Sequence, residues 1–430
     1  MKRWARVSSA AVLVATLLPG TAWAHMKRDE STTIRIAWWG NQEIDNRMLK
    51  VIKLFEAKYP NINVQPEYMA NKDYWTKMNT EAAGGNLPDV MMMDYAYIRN
   101  YVKNNFLVDL TPYTKNGSIH VNDVNPADLQ GGKVNGKLYA INIGDNAPAM
   151  LYDPQLFKKA GVPVPKPGYT WDDLAKVATQ IRNKLGKQGV YGIEPYDNVN
   201  MFFPYYLRQR GLTLYNAQGT GLGYKDDSLL ANFFAYWQNL IKKGVAAPPS
   251  VTQSISDPTD ELIVHGKCPF LNVWSNQAVY ISEAAGKNLK LLPLPTLPGG
   301  KDGLWIKASA LWSATTQSKH LDADLKWIDF FTNDLQAQLT FGAEFGIPIS
   351  QKVQQHLYTR LGPLYRTEYD YIQYVKKHSR PIDPPDPPVA SKIRQIFSTI
   401  QQAVNYLQTT PEAAAQQFRQ QAEVAFRQGS

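Results

Sequence analysis

From residue 34 onward, Ile34, Ile36 and Trp38 alternate with Arg35 and Ala37. That period of two predicts a short strand running out into Trp38-Trp39-Gly40. The period then changes. Met48, Leu49, Ile52 and Phe55 recur at helical spacing until Pro60 stops the pattern. Residues 62–65 alternate again as a second strand, and a helix over 74–83 closes on Gly84-Gly85. Val90-Met91-Met92-Met93 is a continuous apolar run ending on Asp94-Tyr95. Strand and helix alternate here, and the strands are apolar on both faces. The class is therefore α/β, with a mainly parallel sheet covered by helices.

The alternation continues further along. KLYAIN (137–142) and APAMLY (147–152) are strand-like and flank Gly144-Asp145-Asn146. Thr170 caps a helix, with Asp173 three residues later and Leu174, Val177 and Ile181 as its stripe. Residues 211–223 form a glycine-rich loop. Residues 229–243 form a helix whose Phe233, Phe234, Tyr236 and Trp237 belong mostly to a core. Residues 261–265 end a helix at Gly266, and 268–274 form a buried strand ending on Trp274. The proline-rich stretch 289–298 reads as a crossing between domains. Leu325, Ile328 and Phe331 mark another helix, and Thr410-Pro411 opens a last one. Residues 381–388 hold five prolines in eight positions and read as a surface loop. Alternation on both sides of two crossings implies domains built from non-contiguous stretches.

The first 24 residues depart from this pattern. Lys2, Arg3 and Arg6 precede a nine-residue apolar stretch, 10–18, and Ala22-Trp23-Ala24 is a small-x-small site. This is the layout of a signal peptide, too short to span a bilayer, so the chain is expected to be exported. Cys268 is the single cysteine, so no internal disulfide forms. The formal net charge is +9, three of which lie in the leader, and no basic run suggests nucleic acid.

Signatures of catalysis are missing. The six histidines are dispersed, and there is no HExxH, no CxxC and no GxSxG. The Gly219–Gly223 run lacks the ending of a phosphate loop and reads as a turn. Asp172-Asp173 and Asp226-Asp227 stand where helix N-termini want negative charge. A glycosidase needs only two well-placed carboxylates, which leaves an exported polysaccharide-active enzyme as the alternative. Three tryptophans are singled out by position: Trp39 after the first strand, Trp274 at a strand end, and Trp312 just past the proline-rich stretch. Trp75 and Trp237 fall on helix faces, where packing is expected. Asp94 and Tyr95 close a buried strand at the sheet end where α/β folds bind ligands. Asp94 reads equally as a partner for vicinal hydroxyls or as the cap of the next helix. Flat apolar rings beside polar groups suit a sugar.

The segments IRIAWWG, FEAKYPNINV, GNLPDVMMMDYAYIRNYVKNNFLVDLTPY, KLYAINIGDNAPAMLYDPQLFKKAGVPVPKPGYTWDDL, HGKCPFLNVWSNQAV, LDADLKWIDFFTNDLQAQLTF and FGIPIS carry a further signal. Together, from Thr32 to the C-terminus, they resemble the family 1 extracellular solute-binding proteins of carbohydrate ABC importers, the group similar to maltose-binding protein. The resemblance implies a two-lobed periplasmic-binding-protein-like fold with a ligand cleft between the lobes. The lobes are expected at 30–142 plus 292–340 and at 143–291 plus 341–430. It implies a sugar stacked on Trp274, with Trp39, Asp94 and Tyr95 lining the cleft and Asp145 and Asn146 as hydroxyl partners, and Trp312 is added to these candidates by its position alone. Glu344 and Phe345 fall in a late loop that closes over ligand. It further implies a monomer that needs no cofactor and is not an enzyme, delivering its carbohydrate ligand to an ABC transporter permease; a second alternative is the same fold with a uronate oligomer, a phosphate ester or a polyamine as ligand. Many such proteins carry a lipid-modified cysteine, and none stands at the cleavage site here.

Overall fold

The computed structural model describes Met1 and residues 31–195, 201–255 and 260–428, so the leader read at 1–24 lies, Met1 apart, outside the described residues. In chain order the strands are β1 (Thr32–Trp39), β2 (Ile62–Met69), β3 (Val90–Met93), the hairpin β4 (Lys133–Val134) and β5 (Lys137–Leu138), and β6 (Ile141–Asn142). They continue as β7 (Asp145–Asn146), β8 (Pro148–Tyr152), β9 (Phe270–Trp274), β10 (Lys290–Leu292), β11 (Lys307–Ala308) and β12 (Leu311–Ala314).

Five strands make the first sheet, in the order β2-β1-β3-β12-β6. β1 runs parallel to β2 and β3, and β12 runs antiparallel to β3 and β6. The helices Gln42–Lys58 and Asn71–Gly84 make the two crossovers. Asn41 caps the first by accepting from the Glu43 and Ile44 amides. Gly85, at φ 68°, closes the second in the left-handed conformation that glycine adopts without strain. The second sheet, β10-β8-β9, is antiparallel throughout, where a mainly parallel sheet was expected, and parallel pairing in that lobe is limited to isolated bridges such as Ile193 with Ala246. The expected capping box of the helix Trp171–Leu185 is present. Residues 262–266 form turns, where the end of a helix was expected.

Apart from a small group of Ala247, Leu262 and Cys268, the buried apolar side chains fall into two clusters. One draws on residues 34–143 and 308–345 plus Ile349; the other on 147–305, Ala343, Ile347 and 353–426. The change of lobe expected at 292 therefore comes between Trp305 and Ala308. The proline-rich stretch runs along the second lobe instead: β10 pairs with β8, and the Tyr169 and Tyr205 hydroxyls donate to the Pro293, Leu294 and Pro295 carbonyls. Prolines there keep the chain extended, but buried hydroxyls hold it down. Likewise Phe341 and Phe345 stay with the first lobe, beyond the expected boundary at 340.

Three crossings lie side by side. β7 pairs antiparallel with β11, and Asp145 exchanges backbone hydrogen bonds with Ile347 at 2.7 and 3.1 Å. A Cβ on Gly144 would meet the Phe345 carbonyl oxygen at 2.5 Å. That oxygen belongs to the backbone of the seam and cannot rotate away. Gly144→Ala should therefore cost about 1–3 kcal/mol of stability, read as a lower urea midpoint at unchanged slope.

Candidate functional site

A cavity of about 450 Å³ opens between the lobes. β3 is buried along its whole length and delivers Asp94 and Tyr95 to the cavity wall at its carboxyl end. Asp94 does not cap the next helix, Ile98–Lys103, whose N-cap is Tyr97; it braces the turn before it. Its Oδ1 accepts from the Ala96 amide at 2.7 Å, and its Oδ2 faces the Lys307 ammonium at 3.7 Å. The Tyr95 hydroxyl reaches across the cleft to donate to the Asp383 carbonyl at 3.0 Å. Burial pushes that phenol up to about 12, so it stays a donor at neutral pH. Trp274, half-buried at the end of β9, meets Trp305 edge to face at 6.0 Å, and the Lys307 ammonium lies 5.5 Å from its ring centre.

Trp75 packs on its helix as expected, but it also lines the cavity, with the exposed Tyr97 ring stacked on it at 4.0 Å. Two further segments form the wall that pattern reading missed. The turn after Leu214 contributes Tyr215 and Asn216, and the proline-rich loop contributes Ile382, Asp383, Pro384, Pro385 and Asp386. Arg394 holds Asp386 at 2.7 Å. Burial raises the Asp383 and Asp386 carboxyls, and their arginine partners work against it. Two aspartates set among prolines were the available signal, since a stiff polar loop is a ready carrier for ligand-facing carboxylates.

Other expected residues lie elsewhere. Trp312 is fully buried within β12, edge to face with Trp327 at 5.8 Å and Phe331 at 5.5 Å, so it cannot stack on a ligand. It sits inside its strand, opposite Met92 and Ile141, not at the strand's end. Trp39 is buried behind Trp75 and touches Phe345, itself buried in the first lobe. Asp145 and Asn146 are buried in the seam. Asp145 accepts from Asn142 at 2.8 Å and shares the Lys376 ammonium, 2.8 Å away, with Asp128 at 2.7 Å. Burial and the charge of Asp145 push the Asp128 carboxyl up to about 7. Burial works against the Lys376 ammonium, yet the two carboxylates outweigh it and hold it near 12. Glu344 bonds to Arg47 of the first lobe at 3.1 Å, and its carbonyl accepts from Asn276 of the second at 3.3 Å. These groups join the lobes and lie outside the cavity wall.

Residues 40–338 match the bacterial extracellular solute-binding protein family. The chain belongs to that family. A solved family 1 extracellular solute-binding protein from Alicyclobacillus acidocaldarius is 34% identical, with a TM-score of 0.77 over 93% of this chain and 99% of that one. A maltooligosaccharide ABC transporter solute-binding lipoprotein of Streptococcus pneumoniae is 24% identical over 65% of this chain and 64% of its own. A periplasmic oligogalacturonide binding protein of Yersinia enterocolitica shares the fold at 23% identity, with a TM-score of 0.77 over 93% of this chain and 99% of that one. Among the described residues of this solute-binding protein, no helix is long and apolar enough to cross a membrane.

Behind the cavity, Ser275 follows Trp274, accepts from the Ala147 amide and donates to the fully buried Glu368 at 3.3 Å. Burial, helped by the charge of Glu344, raises that carboxyl from its ordinary 4.5 to about 8. Between those values the folded chain holds a proton that the unfolded chain releases, so this group's contribution to stability falls as pH rises. Glu368→Gln should match the wild type near pH 4.5 and become the more stable of the two as pH approaches 8, in denaturant melts across that range.

Proposed function

We propose that this solute-binding protein captures a mono- or oligosaccharide in the cleft by hinge closure and delivers it to the permease of an ABC importer. The observation that carries this reading is the wall itself. Trp75 with Tyr97 from one lobe and Trp274 with Trp305 from the other line the same cavity. The apolar faces of a pyranose suit such rings. Its hydroxyls suit the carboxylates set among them, each held against a cation: Asp94 by Lys307, Asp386 by Arg394 and Asp383 by Arg208. Asp383 and Asp386 are each bonded to their arginine through one oxygen, which leaves the other to accept from a sugar hydroxyl. The names of the pneumococcal and Yersinia proteins point to sugar-type ligands as well.

Ligand favours the closed state because only that state makes contacts from both lobes at once. The seam of three crossings supplies the pivot. The leader places the protein outside the cytoplasmic membrane, in the periplasm or on the outer face, where a permease can receive it. The chemistry of capture needs no cofactor.

Thermal unfolding of residues 25–430 against maltotriose, arabinotriose, cellotriose and digalacturonate tests the reading. A sugar present at a hundred times its dissociation constant adds about 2.7 kcal/mol, a shift of several degrees. Arg99 stands exposed in the wall with no carboxylate at ion-pair distance among the described residues. Arg99→Gln should leave binding of the neutral sugars unchanged, whereas a loss confined to digalacturonate would move the assignment to acidic sugars. Trp274→Ala should keep the fold and weaken binding by about 2 kcal/mol. Unchanged affinity in that variant would remove the stacking role from Trp274.

A further inference from the structure

We infer that Arg208, which does not line the cavity, is the residue that positions the second lobe's ligand-facing wall, by holding the proline-rich loop and the Trp305 segment to each other. The inference rests on the sugar-cleft reading above and adds a residue that this reading does not use.

Arg208 ends the helix Phe202–Arg208 and is 2% exposed. Burying a guanidinium is costly unless its donors are all met. Here each of the three nitrogens has a partner, on two stretches of chain that both reach the cavity. Nε donates to the Gly303 carbonyl at 2.8 Å, and one Nη also approaches the Leu304 carbonyl, two and one residues before Trp305. The same Nη donates to the Arg380 carbonyl at 3.1 Å and the Pro381 carbonyl at 2.9 Å, and the other Nη bonds to Asp383 Oδ1. In return, Arg380 donates to the Arg208 carbonyl at 3.0 Å. The guanidinium carbon lies 5.2 Å from the centre of the Trp305 ring, which in turn meets Trp274.

The loop needs such an anchor because of its composition. Its five prolines have no N–H, so residues 381–388 can donate little to any backbone ladder. What remains for holding them is acceptors: their carbonyls and the two aspartates. Arg208 takes the carbonyls at 380 and 381 and one oxygen of Asp383, Tyr95 takes the carbonyl at 383, and Arg394 takes Asp386. With Oδ1 of Asp383 committed to Arg208, its Oδ2 is left for a hydroxyl in the cavity. A planar fork of five donors can meet acceptors from two segments at once. The ammonium of lysine, with its three donors on one nitrogen, cannot reach all of these acceptors together.

Arg208→Lys keeps the charge and removes the fork. Backbone hydrogen exchange on the unliganded full chain, resolved by peptide, should show residues 379–386 and 303–306 exchanging roughly tenfold faster while β8 and β9 stay as in the wild type. Equal exchange in both segments would overturn the inference. Should Arg208→Lys fail to fold, Asp383→Asn breaks the same ion pair from the part-exposed side, and unchanged exchange at 379–386 in that variant overturns the inference too. Calorimetric titration with those of the four sugars that stabilise the wild type should show Arg208→Lys binding about tenfold more weakly. If Trp274→Ala weakens binding and Arg208→Lys does not, the cleft reading stands and the role of Arg208 falls. If none of the four binds the wild type, the sugar reading fails, and the exchange result decides the role of Arg208 by itself.

Discussion

The chain passes between its lobes three times, and the backbones of those crossings are hydrogen-bonded to one another. β7 lies between β11 and the strand-like stretch around Ile347, so Asp145 sits at the middle of the seam. Everything about the cleft is referred to this line. Both aromatic platforms, both carboxylate-bearing loops and Lys307 are placed relative to one another across this seam. Glycine at 144 and 346 is what lets the backbones come so close, since a Cβ at either would meet a carbonyl oxygen at 2.5 Å. A buried charge cluster reinforces the seam. Lys376 comes from the second lobe and Asp128 and Asn142 from the first, and Asp145 lies between them. Such a cluster contributes little net stability once desolvation is counted, but breaking it by removing one partner is costly. It therefore favours one register of the crossings over others.

The second lobe builds its wall in a different way from the first. In the first lobe a parallel strand simply ends, and Asp94 and Tyr95 emerge from it. In the second, the sheet β10-β8-β9 supplies Trp274 alone, and much of the remainder comes from a glycine-rich turn and a proline-rich strap. Buried side chains hold the strap. Arg208 ties the strap to the Trp305 segment, and tyrosine hydroxyls fix the extended stretch that precedes it. A wall of this kind can vary in its outward residues without disturbing the sheet beneath.

The first lobe was largely legible. Period-two and helical patterns located β1, β2, β3 and their crossover helices, and Asp94, Tyr95 and Trp274 are brought together at the cleft. Trp312 misled because two tryptophans of opposite fate look alike in sequence: Trp274 ends its strand and lines the cavity, whereas Trp312 lies a position inside β12 and packs against a helix. Asp145 and Asn146 were recognised as special, but their neighbours Lys376 and Asp128 lie far away in sequence, and only those neighbours show that the pair belongs to the seam. The boundary at 292 misled for a related reason. Proline-rich chain is extended wherever it goes, and nothing local says that buried tyrosines will hold it to one lobe.

By itself, the sequence determined the α/β class, the first lobe's succession of strands and helices, the family resemblance and the residues at strand ends. These depend on local periodicity and on short motifs, both of which are written in contiguous residues. Only the tertiary structure decided where the lobes exchange, which tryptophans face the cavity, and that the proline-rich loop forms one of its walls. Those outcomes depend on contacts such as Arg208 with Asp383 and Lys376 with Asp145, whose partners are far apart in the chain and carry no local mark of being paired.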